Sequence, residues 1–160
     1  MNKKRLLKLA DLLEENAANR KGLKFDLDVI GETKMDEYGV PIAVPMDCNT
    51  VGCAMGLAAI SGVFKRAGLE YGIYAGIDGQ GKDIWEVAVM MDDGDREYTD
   101  IDAAVPLFGI NTEAAYWLFS GSGAYNRYGA NRMTGARAER MVAKRIRDFV
   151  AGKASPPPQD

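Results

Sequence analysis

The hydrophobic positions near the two ends of the chain repeat with the period of an α-helix. The spacing i, i+3, i+4, i+7 places apolar side chains on one helical face. Near the start this face consists of Leu6, Leu9, Ala10, Leu13 and Ala17. Near the end a second face consists of Met141, Val142, Ile146, Phe149 and Val150. The pattern predicts an amphipathic helix over residues 3–17 and another that begins at Thr134.

Between these helices, shorter apolar patterns predict strands. "KFDLDVI", residues 24–30, alternates apolar with charged side chains, which is typical of a strand with one buried face. The polar stretch 31–40 is predicted to be a loop, and the two prolines of "PIAVPM", residues 41–46, favour an edge strand. Apolar runs at 71–78 and 83–91 flank the glycine-rich "GQGK", so we expect a β-hairpin there.

A run of small residues within 46–64 predicts a buried central helix rich in glycine and alanine. Asp47, Asn49 or Thr50 is placed to cap its first turn, with Cys53 inside that turn. The small side chains allow another element to approach closely on one side. Larger apolar side chains on the opposite side contact the core, and these are Cys53, Leu57, Ile60 and Phe64.

Two short helices are predicted after the hairpin, over 100–110 and 111–119, with Asn111 or Thr112 capping the second. The chain of 160 residues is long enough for one domain with a substantial core. We therefore predict an α+β fold, mostly helical, with the Gly/Ala-rich central helix and a small antiparallel sheet. The domain spans residues 1–152, and a disordered proline-rich tail follows over 153–160.

The composition indicates a cytoplasmic protein. No apolar run approaches the roughly 18–20 residues of a membrane span, and residues 1–16 become charged again within one helical length. We therefore expect no transmembrane segment, no secretory signal and no membrane partner. With only two cysteines, a disulfide framework is not expected either.

The chain contains no histidine, which removes many catalytic and metal-binding arrangements. Cys48 and Cys53 are the weak catalytic candidates, because a thiolate is favoured near the start of a helix. Neither has a histidine to activate it, and two thiols alone do not complete a zinc site. The sequence therefore favours a protein that is not an enzyme and predicts neither a metal nor another cofactor.

Charge is unevenly distributed along the chain. The segment 83–113 is acidic apart from Arg96, whereas 127–153 is basic apart from Glu139 and Asp148. Two interpretations remain open. The charged segments either meet in the fold or are solvated, or else one of them docks on a charged partner.

The last helix carries a basic face of its own. Four of its cations lie within about 80° around the helix axis, opposite the apolar stripe. These are Arg137, Arg140, Lys144 and Arg147. The preceding loop adds Tyr125, Arg127, Tyr128 and Arg132. This group of eight residues is the candidate ligand-binding or partner-binding site, although a solvated face of an amphipathic helix is the interpretation that the sequence favours for the helical cations. The sequence pI of about 5.1 argues against general affinity for nucleic acid.

Three stretches resemble a group of short uncharacterised bacterial and phage proteins. They are "DCNTVGCAMGLAA", "AAVPLFGINTEAAYWLF" and "TGARAERMVAKRIRDFV". The group has a C-G-T-x-x-C-x-x-G-x-A block, then a leucine-glycine helix pair ending in Leu-Phe, then a C-terminal helix. The matching positions are Cys48, Thr50, Cys53, Gly56, Ala58, Phe108, Gly109, Leu118 and Phe119. Asn49 replaces a glycine of the group, and Leu57 replaces a frequent aromatic residue. The resemblance carries over no defined function, and the frequency of the group in phage and mobile-element genomes implies at most an accessory role.

The resulting hypothesis is a non-enzymatic phage or mobile-element accessory protein that binds a protein partner, such as a host or defence factor. The alternative is a binder of small ligands, nucleotides or nucleic-acid phosphates that uses the loop 120–132 and the basic helix face. A thiol-dependent enzyme is the third hypothesis.

Overall fold

The computed structural model describes residues 1–19, 24–26, 33–35, 37, 41–43, 51–77, 83–92, 94, 97–120 and 134–156. Its helices are α1 (Lys3–Ala18), α2 (Ala54–Ile60), α3 (Ala104–Phe108), α4 (Thr112–Phe119) and α5 (Gly135–Val150). Its strands are β1 (Lys24–Phe25), β2 (Thr33–Met35), β3 (Pro41–Ala43), β4 (Val51–Gly52), β5 (Leu69–Ile77), β6 (Asp83–Asp92) and β7 (Glu97–Thr99). The predicted α+β class, with a small antiparallel sheet, is confirmed.

The largest sheet is antiparallel and has the strand order β5-β6-β7. β5 and β6 pair along their whole length, from Leu69 opposite Met91 to Ile77 opposite Asp83, which confirms the predicted hairpin. β7 extends the sheet on the other side of β6. The turn before β7 contains Gly94, whose φ of +93° is strained for other residues and whose N–H donates to Asp92 Oδ1 at 2.7 Å.

Two pairs of very short strands complete the β-structure that is described. β2 pairs antiparallel with β3, although residues 31–40 were expected to form a loop, so that prediction is wrong for Thr33–Met35. β1 pairs in parallel with β4, which lies far along the chain. β1 and β3 fall within the stretches 24–30 and 41–46 that were predicted to form strands, whereas β2 and β4 are too short to show an alternating pattern and are specified by their pairing partners.

The central helix α2 begins later than the sequence predicts. Val51 and Gly52 are held in β4, so the helix starts only at Ala54. Cys53 caps it: its backbone is extended and its Sγ accepts a hydrogen bond from the N–H of Gly56 at 3.5 Å. The expected cap at Asp47, Asn49 or Thr50 is therefore wrong, as is the placing of Cys53 inside the first turn.

The burial expected for this helix is confirmed, since its residues from Ala54 to Ala59 are all buried. The helix ends at Ile60, so Phe64 lies outside it, contrary to the prediction, but is buried in the turn that follows. The later helix starts are as predicted: Asn111 Oδ1 accepts from the N–H of Ala114 at 2.8 Å to cap α4, and Thr134 precedes α5.

Helices α1 and α5 pack side by side and bury much of the core. Leu6, Leu9 and Leu13 of α1 and Val142 and Ile146 of α5 are fully buried. Burying a side chain of this kind stabilises the fold by roughly 1.5–3 kcal/mol. The apolar faces recognised in the sequence therefore form the surface at which the first helix packs against the last.

The start of α1 is attached to the end of α3. The N–H of Asn2 donates to the Phe108 carbonyl at 2.5 Å, and Arg5 Nη1 donates to the Leu107 carbonyl at 2.9 Å. Gly109 follows with a φ of +59°, and a Cβ there would lie 3.5 Å from the Met1 nitrogen. These contacts fix the position of the first turn of α1.

Among the residues that the structure describes, no helix is long and apolar enough to cross a membrane. At the other end of the chain, Ala154 packs against the core although it was assigned to the tail.

Candidate functional site

The four cations predicted on the last helix all lie on the surface of α5, and we call them the basic ridge. Arg137, Arg140 and Lys144 are exposed, and the Arg147 side chain is 38% exposed. The four loop residues that were predicted to act with them, Tyr125, Arg127, Tyr128 and Arg132, lie outside the described residues.

Arg147 is held by two carboxylates of α1. Its Nη2 lies 2.8 Å from both Asp11 Oδ1 and Glu14 Oε2, and its Nε lies 3.2 Å from Glu14 Oε1. The hydrogen bonds to Glu14 and Asp11 raise the pKa of Arg147 further above its usual range. Because two guanidinium nitrogens meet both oxygens of Glu14, the orientation of this side chain is fixed.

The other cations of the ridge differ in how far they are neutralised. Lys144 forms an ion pair with Asp148 one turn later on α5. Arg140 Nη2 donates to the Ala17 carbonyl at 3.3 Å, in the last turn of α1, where free carbonyl groups favour a cation. Within the described part of the chain, Arg137 and Arg140 form no ion pair, so they carry the exposed positive charge of the ridge.

A buried polar pair lies beneath the ridge. Glu139 of α5 is 2% exposed, and its Oε1 accepts a hydrogen bond from Asn16 Nδ2 of α1 at 2.5 Å. Burial raises the pKa of the Glu139 carboxyl to about 7, while the Asn16 hydrogen bond and the Arg140 charge partly oppose the rise. Sequence analysis missed this residue, although its spacing from Val142 and Ile146 places it on the apolar stripe.

Arg145 is buried rather than part of the ridge. It is 2% exposed, its Nη1 donates to the Trp117 carbonyl, and its Cζ lies 5.4 Å from the Trp117 ring centroid. The cation therefore connects α5 to α4 through a hydrogen bond and a cation–π contact. The spacing of Arg145 from Val142 and Phe149 places it on the apolar face of α5, so the sequence did indicate this inward position.

The thiol of Cys53 is poorly suited to nucleophilic chemistry. Cys53 is 1% exposed, and burial raises its pKa to about 11, with a smaller contribution from the charge of Asp100. A thiol with such a pKa is almost entirely protonated at neutral pH, and the thiolate is the reactive form. Cys48 lies outside the described residues. Among those that are described, no three acidic or cysteine side chains are grouped to hold a metal ion.

Part of the acidic segment lies near an exposed aromatic residue. Asp100 has a left-handed φ of 53°, and its N–H donates to the Val89 carbonyl at 2.7 Å. Tyr116 is 36% exposed. Burial, then the charges of Asp102 and Asp100, raise the pKa of its hydroxyl. The carboxylates that hold Arg147, by contrast, belong to α1 and not to this segment.

Comparison with protein-family models, curated proteins and solved structures found no match to this chain. The resemblance to the bacterial and phage group therefore stays a prediction.

Proposed function

We propose that the chain is a non-enzymatic accessory protein that binds a protein partner through the basic ridge and the adjoining surface of α1. The observation that supports this most is the partial neutralisation of the ridge. Asp11 and Glu14 hold Arg147, and Asp148 holds Lys144, so cations and carboxylates alternate on this surface.

A surface of mixed sign suits a protein partner better than a polyanion. Affinity for a phosphate backbone depends on how many cations can replace counterions, and here the carboxylates compete for two of the four. A protein partner can pair with charges of both signs, which favours a specific orientation. Arg137 and Arg140 supply arginine, a residue that is enriched in protein interfaces.

The buried, protonated thiol of Cys53 supports the non-enzymatic part of the proposal. The phage or mobile-element origin, and a host or defence factor as the partner, rest on the sequence resemblance. The identity of the protein that the ridge binds tests both of these claims.

The test compares the wild type with Arg137→Glu/Arg140→Glu and with the milder Arg137→Gln/Arg140→Gln. Lys65→Glu/Arg66→Glu is the matched control, because it changes the net charge equally on another surface. Cross-linked complexes from host lysate are quantified by mass spectrometry, and thermal unfolding verifies that every variant is folded. We expect a specific protein that the wild type and the control capture and that both ridge variants lose.

Titration with nucleotides and single-stranded oligonucleotides at about 150 mM salt distinguishes this proposal from the alternative of a phosphate-binding function. We expect no saturable binding. Saturable binding that the ridge variants abolish would replace this proposal by the phosphate-binding function. A captured protein that the ridge variants retain would contradict the assignment of the ridge.

A further inference from the structure

The end of α1 and the beginning of α5 meet around one buried carboxyl group. Glu139 is 2% exposed, and its Oε1 accepts a hydrogen bond from Nδ2 of Asn16, which is 8% exposed. One residue further along each helix, Arg140 Nη2 donates to the Ala17 carbonyl at 3.3 Å. Two hydrogen bonds therefore join the last turn of α1 to the second turn of α5.

Little apolar surface holds the two helices together at this end. The fully buried leucines of α1 reach only as far as Leu13, and Asn16 is the last buried residue of that helix. Residue 17 is partly exposed, and residues 18 and 19 are exposed. On α5, the first buried apolar group is only the methyl group of Ala138. Because apolar burial stabilises a contact, we expect the last turn of α1 to open more easily than the rest of the helix.

The Glu139 carboxyl suits this position only while it is protonated. A buried carboxylate needs a cation or several N–H donors to offset its lost hydration. Here one neutral amide donates to it, while Arg140 donates to the Ala17 carbonyl instead. The raised pKa of about 7, which is caused mainly by burial, agrees with this geometry. The ionised form is therefore poorly accommodated between the helices.

The other charged side chains around α5 do not compensate an ionised Glu139. Within the described residues, its pKa responds to the Asn16 hydrogen bond and the Arg140 charge, apart from burial. The elements that pack against α5 are α1, α4 and β1, and the first half of α1 lies towards the opposite end of α5. The remaining charged residues on these elements or directly after them are Asp11, Glu14, Glu15, Lys24, Asp26 and Glu113.

We infer that Glu139 is a pH-sensitive latch for the last turn of α1, whose protonated form holds residues 16–19 against α5 and whose ionised form releases them. Release lets water reach the carboxylate and so removes the cost of keeping the charge buried. It also breaks the hydrogen bond between Arg140 and the Ala17 carbonyl. Since the folded-state pKa lies near 7, the latch is closed below that pH and opens above it.

The latch goes beyond the proposed function, but it acts on the surface that carries it. Opening frees the Arg140 guanidinium from α1 and places an ionised carboxylate beside it, which lowers the positive charge of the basic ridge. A partner that pairs with Arg140 is therefore bound more tightly below pH 7 than above it. This consequence rests on the proposed function, whereas the latch is tested on the protein alone, so that either can fail without the other.

Carbon-detected NMR of the isotope-labelled protein between about pH 4 and about pH 9 tests the latch. The carboxyl carbon of Glu139 reports ionisation, and the backbone carbons of Ala17 and Ala18 report whether the end of α1 is helical. We expect Glu139 to titrate near pH 7 instead of 4.5. The two alanines should move from helical towards random-coil shifts with the same midpoint.

Hydrogen exchange, corrected for the intrinsic rate at each pH, is the second measurement. The backbone N–H groups of residues 16–19 should lose protection above pH 7, while those of residues 9–13 keep it. Glu139→Gln should keep the end of α1 helical and protected at every pH. Glu15→Gln, the matched control, removes an exposed carboxylate from the same end of α1 and should leave the transition unchanged.

Three results would overturn the inference. A Glu139 carboxyl that titrates near 4.5 would mean that it is not held in a buried position. Titration near 7 while residues 16–19 stay helical and protected would mean that the carboxylate ionises in place and releases nothing. Opening that persists in Glu139→Gln, or that disappears in Glu15→Gln, would assign the transition to another group.

Discussion

Replacing Glu139 by glutamine tests whether this carboxyl is buried as the structure shows. Glutamine keeps the size of the side chain and an oxygen that can accept from Asn16 Nδ2, but it cannot ionise. The groups that face the carboxyl are Asn16 of α1, which donates at 2.5 Å, and Arg140 of α5, whose charge favours the ionised form.

The expected effect depends on pH, and its sign follows from the raised pKa. The carboxyl pKa is about 7 in the folded protein against 4.5 in the unfolded reference, so folding tightens the hold on the proton. The resulting contribution to stability is fully present below 4.5 and is lost as the pH rises through about 7. The loss is about 0.8 kcal/mol by pH 5 and about 3 kcal/mol by pH 8. Glu139→Gln suffers no such loss.

The assay is urea unfolding of the wild type and Glu139→Gln at pH 5 and pH 8. The difference between the two proteins cancels the titration of carboxylates that they share, such as Asp11 and Glu14. We expect Glu139→Gln to gain about 2–3 kcal/mol relative to the wild type between the two pH values. Glu15→Gln, which removes an exposed carboxylate from α1, is the control for net charge. A difference that stays constant with pH would refute the buried position of Glu139.

Two further outcomes follow from other contacts. Cys53→Ala should lower the free energy of unfolding by about 1–2 kcal/mol in a denaturant titration. Peptide mapping after thiol labelling of the folded wild type should show slow reaction at Cys53. Fast labelling of Cys53 at neutral pH would contradict its burial. Arg147→Met should lower the free energy of unfolding by about 0.5–1 kcal/mol at low salt and by less at high salt. Arg137→Met, the control, should leave the free energy of unfolding almost unchanged. Equal effects of the two substitutions would mean that the Arg147 ion pairs contribute no stability.

The elements that could be predicted from the sequence are those long enough to show repeats of the apolar spacing. α1, α4 and α5 each span two or more turns, and their apolar spacing or cap residues identify them. β2 and β4 have two or three residues each and exist because β3 and β1 pair with them. β4 pairs with β1, which lies far back in the chain, so its own residues carry no local signal, and the same pairing displaced the start of α2.

The candidate site could be predicted only in part, for a related reason. The exposed cations Arg137 and Arg140 follow from helical geometry alone. The neutralisation of Arg147 depends on Asp11 and Glu14, which are more than a hundred positions away in the sequence. The burial of Arg145 likewise depends on Trp117 of another helix. Charge along the sequence therefore overestimated the net positive charge of this surface.

The pairing of α1 with α5 also constrains the order in which the molecule can fold during synthesis. The contact between Asn16 and Glu139 joins residues 123 positions apart, and that between Asp11 and Arg147 joins residues 136 positions apart. The ribosome releases α1 more than a hundred residues before its packing partner α5. Until α5 has emerged, its side chains do not cover the leucine face of α1. Contacts between residues so far apart in the sequence also form slowly. This core therefore cannot form until α5 has emerged, and the leucine face of α1 is open to contacts with other chains during that interval.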